Sequence, residues 1–144
     1  MINKIIEAIA IKLHELFGFE IYKDNIEQGL NEPCFLIVLI SQNKQQLLNQ
    51  RSKRELPFDI HFFPSEGDSQ SNEVSETLMN ELDIVKAVDG TLFAGTGMSS
   101  EIIDGVLHFR VNYNYTANKY ETEDVMKEID IGNGIKEWFY GWKS

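Results

Sequence analysis

The first seventeen residues carry apolar side chains at steps of three and four: Ile2, Ile5, Ile6, Ile9, Leu13, Leu16 and Phe17. On a helix of 3.6 residues per turn these positions share one stripe, so the pattern predicts an amphipathic helix. Gly18 follows, where a helix end takes a positive φ. "FEIYKD" then predicts a short strand and "EQGLNEP" a turn. Cys34 to Ile40 is apolar without alternation, the pattern of a central strand covered on both faces. From Leu56 the period becomes two, with Leu56, Phe58, Ile60 and Phe62 facing one way and Asp59 and His61 the other. Between these strands "SQNKQQLLNQRSKRE" has no helical stripe and no Gly or Pro for a tight turn. It reads as the far end of a long hairpin that projects beyond the core.

"PSEGDSQSN" is a loop by composition. Beyond it Val74, Leu78, Leu82 and Val85 define a second amphipathic helix within "EVSETLMNELDIVKAV", acidic in its first turn. Asp89-Gly90 and Asp104-Gly105 are hairpin signals. The second joins "SSEII" to a strict alternation, with Leu107, Phe109, Val111, Tyr113 and Tyr115 on one face and His108, Arg110, Asn112, Asn114 and Thr116 on the other. The glycines of "AGTGMSS" mark a bend or bulge in a strand. Helix, strands, helix and long hairpin without βαβ alternation predict an α+β fold: a mostly antiparallel sheet with long projecting β-hairpins and two helices packed on one face.

A chain of 144 residues, 42% hydrophobic, closes one core, so residues 1–144 are expected to form a single domain with 117–144 as a C-terminal extension. No apolar run approaches a membrane span, and "MINKIIEAIAIKLHELF" carries Lys and Glu inside its stripe, unlike a signal peptide. A soluble protein made in the cytoplasm is expected. The formal charge of −10 argues against a broad nucleic-acid-binding surface, which needs clustered Lys and Arg, although it suits a surface that repels DNA.

Candidate chemistry is sparse. Cys34, the one cysteine, lies in an apolar run and reads as a small buried hydrophobe. "AGTGMSS" lacks the Gly-Lys-Ser/Thr ending of a phosphate loop. Glu101 and Asp104 flank a turn without the further oxygens of a calcium loop. His14 has no second His or Cys at i+4. His61 and His108 lie on polar strand faces, and were those strands neighbours the rings would meet with Asp59 as a third ligand. Their wide spacing favours two sheet-surface histidines, so neither metal nor cofactor is expected. Two features look like contact surfaces instead. Lys44, Arg51, Lys53 and Arg54 concentrate basic charge in the hairpin of an acidic chain. Trp138, Phe139, Tyr140 and Trp142 crowd the C-terminus, to fold back on the core or to anchor a partner.

With these segments in view, "EQGLNEPCFLI" (27–37), "QQLLNQRSKRELPFDIHFFP" (45–64) and "EIIDGVLHFRVNYNY" (101–115), together with the leading "MINKIIEAI", resemble the tail terminator family of contractile-tailed phages and prophages of Gram-positive bacteria. The likeness extends to about residue 116. It implies a non-enzymatic protein of the virion tail, at its head-proximal end. Such a protein assembles as a hexameric ring, stops tube polymerisation, and has the tail tube protein and a head-tail connector protein as partners. On that view the His108, Arg110, Asn112, Asn114 face and the basic hairpin meet a neighbouring subunit or the tube, and DNA passes through the ring unbound. The alternatives are another virion assembly factor, such as a connector component or tail chaperone, or a small metal-dependent hydrolase using Asp59, His61 and His108.

Overall fold

The structure, a computed structural model, describes residues 1–23 and 29–118. Its elements in chain order are α1 (Ile2–Phe17), β1 (Glu20–Tyr22), β2 (Cys34–Leu39), β3 (Asn43–Gln46), β4 (Arg51–Phe63), α2 (Asp68–Glu81), β5 (Ile84–Lys86), β6 (Leu92–Ile103) and β7 (Val106–Asn118). The strands form a seven-stranded sheet in the order β1-β2-β4-β7-β6-β5, with β3 paired to β4. β1 runs parallel to β2, while β2 with β4, β5 with β6 and β6 with β7 are antiparallel. This is the α+β fold that the pattern predicts. No helix of the described residues is long and apolar enough to cross a membrane.

The described residues divide into two compact units, one drawn from Met1–Gln42 with Glu55–Asn114, the other from Asn43–Arg54 with residues 115–118. In the first, one sheet face is the core. Strand alternation buries Phe58, Ile60 and Phe62 on β4 and Leu107, Phe109, Val111 and Tyr113 on β7. Register carries this face across the sheet: Phe35 and Ile37 on β2 stand opposite Phe62 and Ile60, and the Phe58 ring meets Tyr113 edge-on at 6.1 Å. α1 covers it with Ile5, Ala8, Ile9 and Leu13, all fully buried, and with Phe17, whose ring lies 5.3 Å from Phe35. α2 lies over the same face, since Ser75 Oγ is 2.8 Å from Ser100 Oγ and Ser100 stands opposite Phe109. Both helices thus pack on one side. Gly18 ends α1 at φ 73°, its N–H donating to the His14 carbonyl at 2.9 Å.

Three segments differ from their sequence reading. α2 begins at Asp68 in the expected loop and ends at Glu81, while Val85 lies in β5. Gln70 explains the early start: its Oε1 accepts from the N–H groups of Ser65 and Glu66, tying the loop to the first turn. Val85 is buried beside exposed Ile84 and Lys86, a strand's alternation, and pairs with Phe93. The β3–β4 hairpin does have a tight turn, formed without Gly: Asn49 and Gln50 both take left-handed φ, 62° and 64°, and Arg51 N–H donates to the Leu48 carbonyl at 3.3 Å.

The remaining turn signals hold. Asp104 and Gly105 have φ 51° and 79° between the paired residues Ile103 and Val106. The β6–β7 register shifts between Thr96 and Ser99, so "AGTGMSS" does contain a bulge, with Gly97 at φ 63°. Cys34 is fully buried, and burial pushes its thiol pKa up, with Glu32 and Glu20 adding to the rise.

Candidate functional site

The other face of the sheet carries the polar residues of β4, β7 and β6. Asp59 and His61, two apart on β4, project from the same side. The Asp104-Gly105 turn sets Glu101 of β6 directly opposite His108 of β7, with Arg110 two residues further on. These five side chains form one cluster, centred on the Asp59 carboxylate.

His108 Nδ1 lies 3.1 Å from Asp59 Oδ2 and His61 Nε2 lies 3.3 Å from the same oxygen. The two imidazole rings are 4.3 Å apart, centroid to centroid. Arg110 Nε is 3.7 Å from Asp59 Oδ2, but its Nη1 donates to Glu101 Oε1 at 2.9 Å, so Glu101 is its closer partner. Asp59 is buried, and its Oδ1 has no hydrogen-bond partner among the described residues. The side chains of His61 and His108 retain 22% and 17% exposure. Burial lowers the pKa of His61; Asp59 opposes the shift, while His108 and Arg110 add to it. Hydrogen bonding to Glu101 raises that of Arg110.

The condition on which a His–Asp–His group depended is therefore met: the strands are neighbours, and the three residues converge as a set that could hold a metal ion. Glu101 was missed as a member of this group. The signal for it was the hairpin itself, since an Asp-Gly turn fixes which residues of two strands face each other. Of the residues read as a contact surface, Asn112 and Asn114 continue the His108 and Arg110 face. All four are half-buried, and Asn114 Oδ1 is a buried atom without a partner among the described residues. Lys44, Arg51, Lys53 and Arg54 are together in the second unit, Lys44 and Arg51 exposed, Lys53 and Arg54 half-buried. Trp138, Phe139, Tyr140 and Trp142 lie outside the described residues.

A separate groove of about 490 Å³ runs between α1 and the β5 segment, lined by Ala8, Ile11, Lys12, Ile84, Val88 and Leu92 among others. Its lining is mixed, with Lys12, Glu15, Asp83 and Lys86 beside the apolar side chains, and it shares no residue with the cluster. A family model described as phage tail terminator protein matches residues 4–125. The chain belongs to that family. Among curated proteins none matches the sequence. The tail terminator family assigns the chain a structural part in a phage tail, as a component of the virion. The match runs through both histidines, Asp59, Arg110 and the basic hairpin, and ends before the C-terminal aromatics.

Proposed function

We propose that this tail terminator closes the end of the tail tube as a ring of identical copies, six in number by the family resemblance. The ring stops tube polymerisation and offers its far side to a head-tail connector protein. The observation that carries this reading is the charge of the β3–β4 hairpin: Asn43–Arg54 holds four basic residues and no acidic one, in a chain of net charge −10. Such a segment is attracted to the acidic remainder of another copy, and an interface between two different patches repeats from copy to copy until a rotation closes it. The hairpin also brings main-chain recognition. β3 is four residues long, exposed throughout, and pairs with β4 alone among the described residues. A partner strand can add to its outer side, with side chains setting specificity.

Within this reading the half-buried His108, Arg110, Asn112 and Asn114 face turns toward a neighbouring subunit or the tube, and the acidic balance lets DNA pass without adhering. Electron microscopy of the purified protein mixed with tail tubes tests it. A ring at one tube end and arrested tube length are expected. Free tube ends and unchanged growth at saturating protein would refute it, and a protein absent from finished tails would point to a tail chaperone instead.

A further inference from the structure

We propose that Asp59, His61 and His108 form a binding site for one divalent transition-metal ion, zinc above all, on the outer face of the sheet. The donor set is the first support. Two imidazole nitrogens, which are borderline donors, joined by one hard carboxylate oxygen make a set suited to Zn²⁺, Co²⁺ or Ni²⁺ and poorly suited to Ca²⁺ or Mg²⁺, which prefer oxygen throughout.

Spacing is the second. Ligand bonds of about 2.0 Å at tetrahedral angles place donor atoms about 3.3 Å apart. His61 Nε2 and His108 Nδ1 stand 3.3 and 3.1 Å from Asp59 Oδ2, and a donor atom from each of the three residues lies within 4.8 Å of the other two. Two edges of the coordination polyhedron are already at length. The backbone beneath is rigid, because β4 and β7 bury Phe58, Ile60, Phe62, Leu107, Phe109 and Val111 on their opposite face.

Electrostatics is the third. With both imidazoles neutral, Asp59, Glu101 and Arg110 sum to one negative charge. Among the described residues of the cluster Arg110 opposes a cation, and its closest carboxylate is Glu101, at 2.9 Å, against 3.7 Å to Asp59. Asp59 Oδ1, buried and without a partner among the described residues, leaves the carboxylate with unused acceptor capacity. Three protein ligands leave a fourth position for water or for a donor from a bound neighbour. The site rests on the fold of one chain and does not depend on ring formation.

The sequence makes the test clean, since it contains three histidines and one cysteine, the latter buried. Tag-free protein is stripped with chelator and titrated with Co²⁺, then with Zn²⁺. One ion per chain is expected, with the visible absorption of a low-coordinate Co²⁺ that Zn²⁺ abolishes. His61→Gln and His108→Gln should each weaken binding at least tenfold, His14→Gln should leave it unchanged, and Arg110→Ala should tighten it several-fold by removing the opposing charge. Zn²⁺ should raise the Tm of the unsubstituted protein and leave that of His61→Gln unmoved. Should His108→Gln fail to fold, His61→Gln decides alone, since its ring is the more exposed. Absence of binding at micromolar metal, or binding that survives His61→Gln undiminished, overturns the proposal. A tube-capping ring would be untouched by that result.

Discussion

Tyr113 ties a strand to a helix end through one hydroxyl. Its ring is fully buried on the core face of β7, and its OH donates to the Leu82 carbonyl, at the end of α2, at 2.8 Å. That carbonyl lies where a helix leaves acceptors unpaired, so the phenol serves as a cap delivered from the sheet. Gly95 makes the approach possible. A Cβ there would sit 2.7 Å from the Leu82 oxygen and 3.0 Å from Tyr113 Cε1, so no larger residue fits without displacing backbone. Tyr113→Phe should cost about 1–2 kcal/mol in urea unfolding at pH 7, the value of a buried hydrogen bond whose acceptor is left unpaired. A pH signature accompanies it. Burial, with Asp83 adding to it, raises the folded-state pKa of Tyr113 above the ordinary 10.0, so the folded protein holds a proton that the unfolded chain releases. Stability from this group is fully present below pH 10 and is lost as pH rises beyond it. Tyr113→Phe should show a shallower loss of stability above pH 10, and an unchanged slope would mean that the phenol titrates freely in the native state.

Among the elements, the β3–β4 hairpin is where local conformation and sequence disagree most. Asn49 tolerates left-handed backbone, but Gln50 at φ 64° bears the steric cost of a Cβ there, about 1 kcal/mol or more. The β6–β7 hairpin solves the same problem with Asp104-Gly105. Gln50→Gly should therefore stabilise the hairpin by about 1 kcal/mol. Native-state hydrogen exchange checks it: the Leu47 amide, bonded to the Arg51 carbonyl at 2.8 Å, should exchange about fivefold more slowly. The turn also shows what sequence could reveal and what it could not. Period-two alternation marked β4 and β7, and Asp-Gly marked the hairpin between β6 and β7, because those signals are local. Asn-Gln carries no comparable turn signal, so the tight turn was invisible. α2 was misplaced because Ser71, a fully buried polar residue, interrupts its apolar stripe at the N-terminal end, while Leu82 and Val85 extend the same spacing past its true end. The Asp59 cluster was legible residue by residue but not as a site, since it needs β4 beside β7, a pairing of segments about fifty positions apart that no local pattern encodes.

At the scale of the whole molecule the uneven distribution of charge is the property on which the proposed ring rests. A uniformly acidic protein at −10 would repel its own copies; placing all four charges of Asn43–Arg54 on the basic side gives each copy one segment that others attract. Attraction between exposed charges is screened over about 8 Å at physiological ionic strength, so in the proposed ring it would guide and orient the encounter, while strand addition along β3 would supply the directional contacts. Lys44 and Arg51 are the exposed pair within this segment, and neither lies in the core that stabilises the fold. Reversing both, as Lys44→Glu with Arg51→Glu, should leave the thermal midpoint within a few degrees of its original value and weaken capping of tail tubes by tenfold or more at low salt. The unsubstituted protein should itself lose capping efficiency as NaCl rises from 50 to 500 mM, and the doubly reversed variant should not share that dependence. Negative-stain counts of capped tube ends against salt measure both. If the reversed variant caps tubes as well as the original at every salt concentration, the hairpin charge has no part in docking, and recognition would have to reside in the half-buried face that His108, Arg110, Asn112 and Asn114 present.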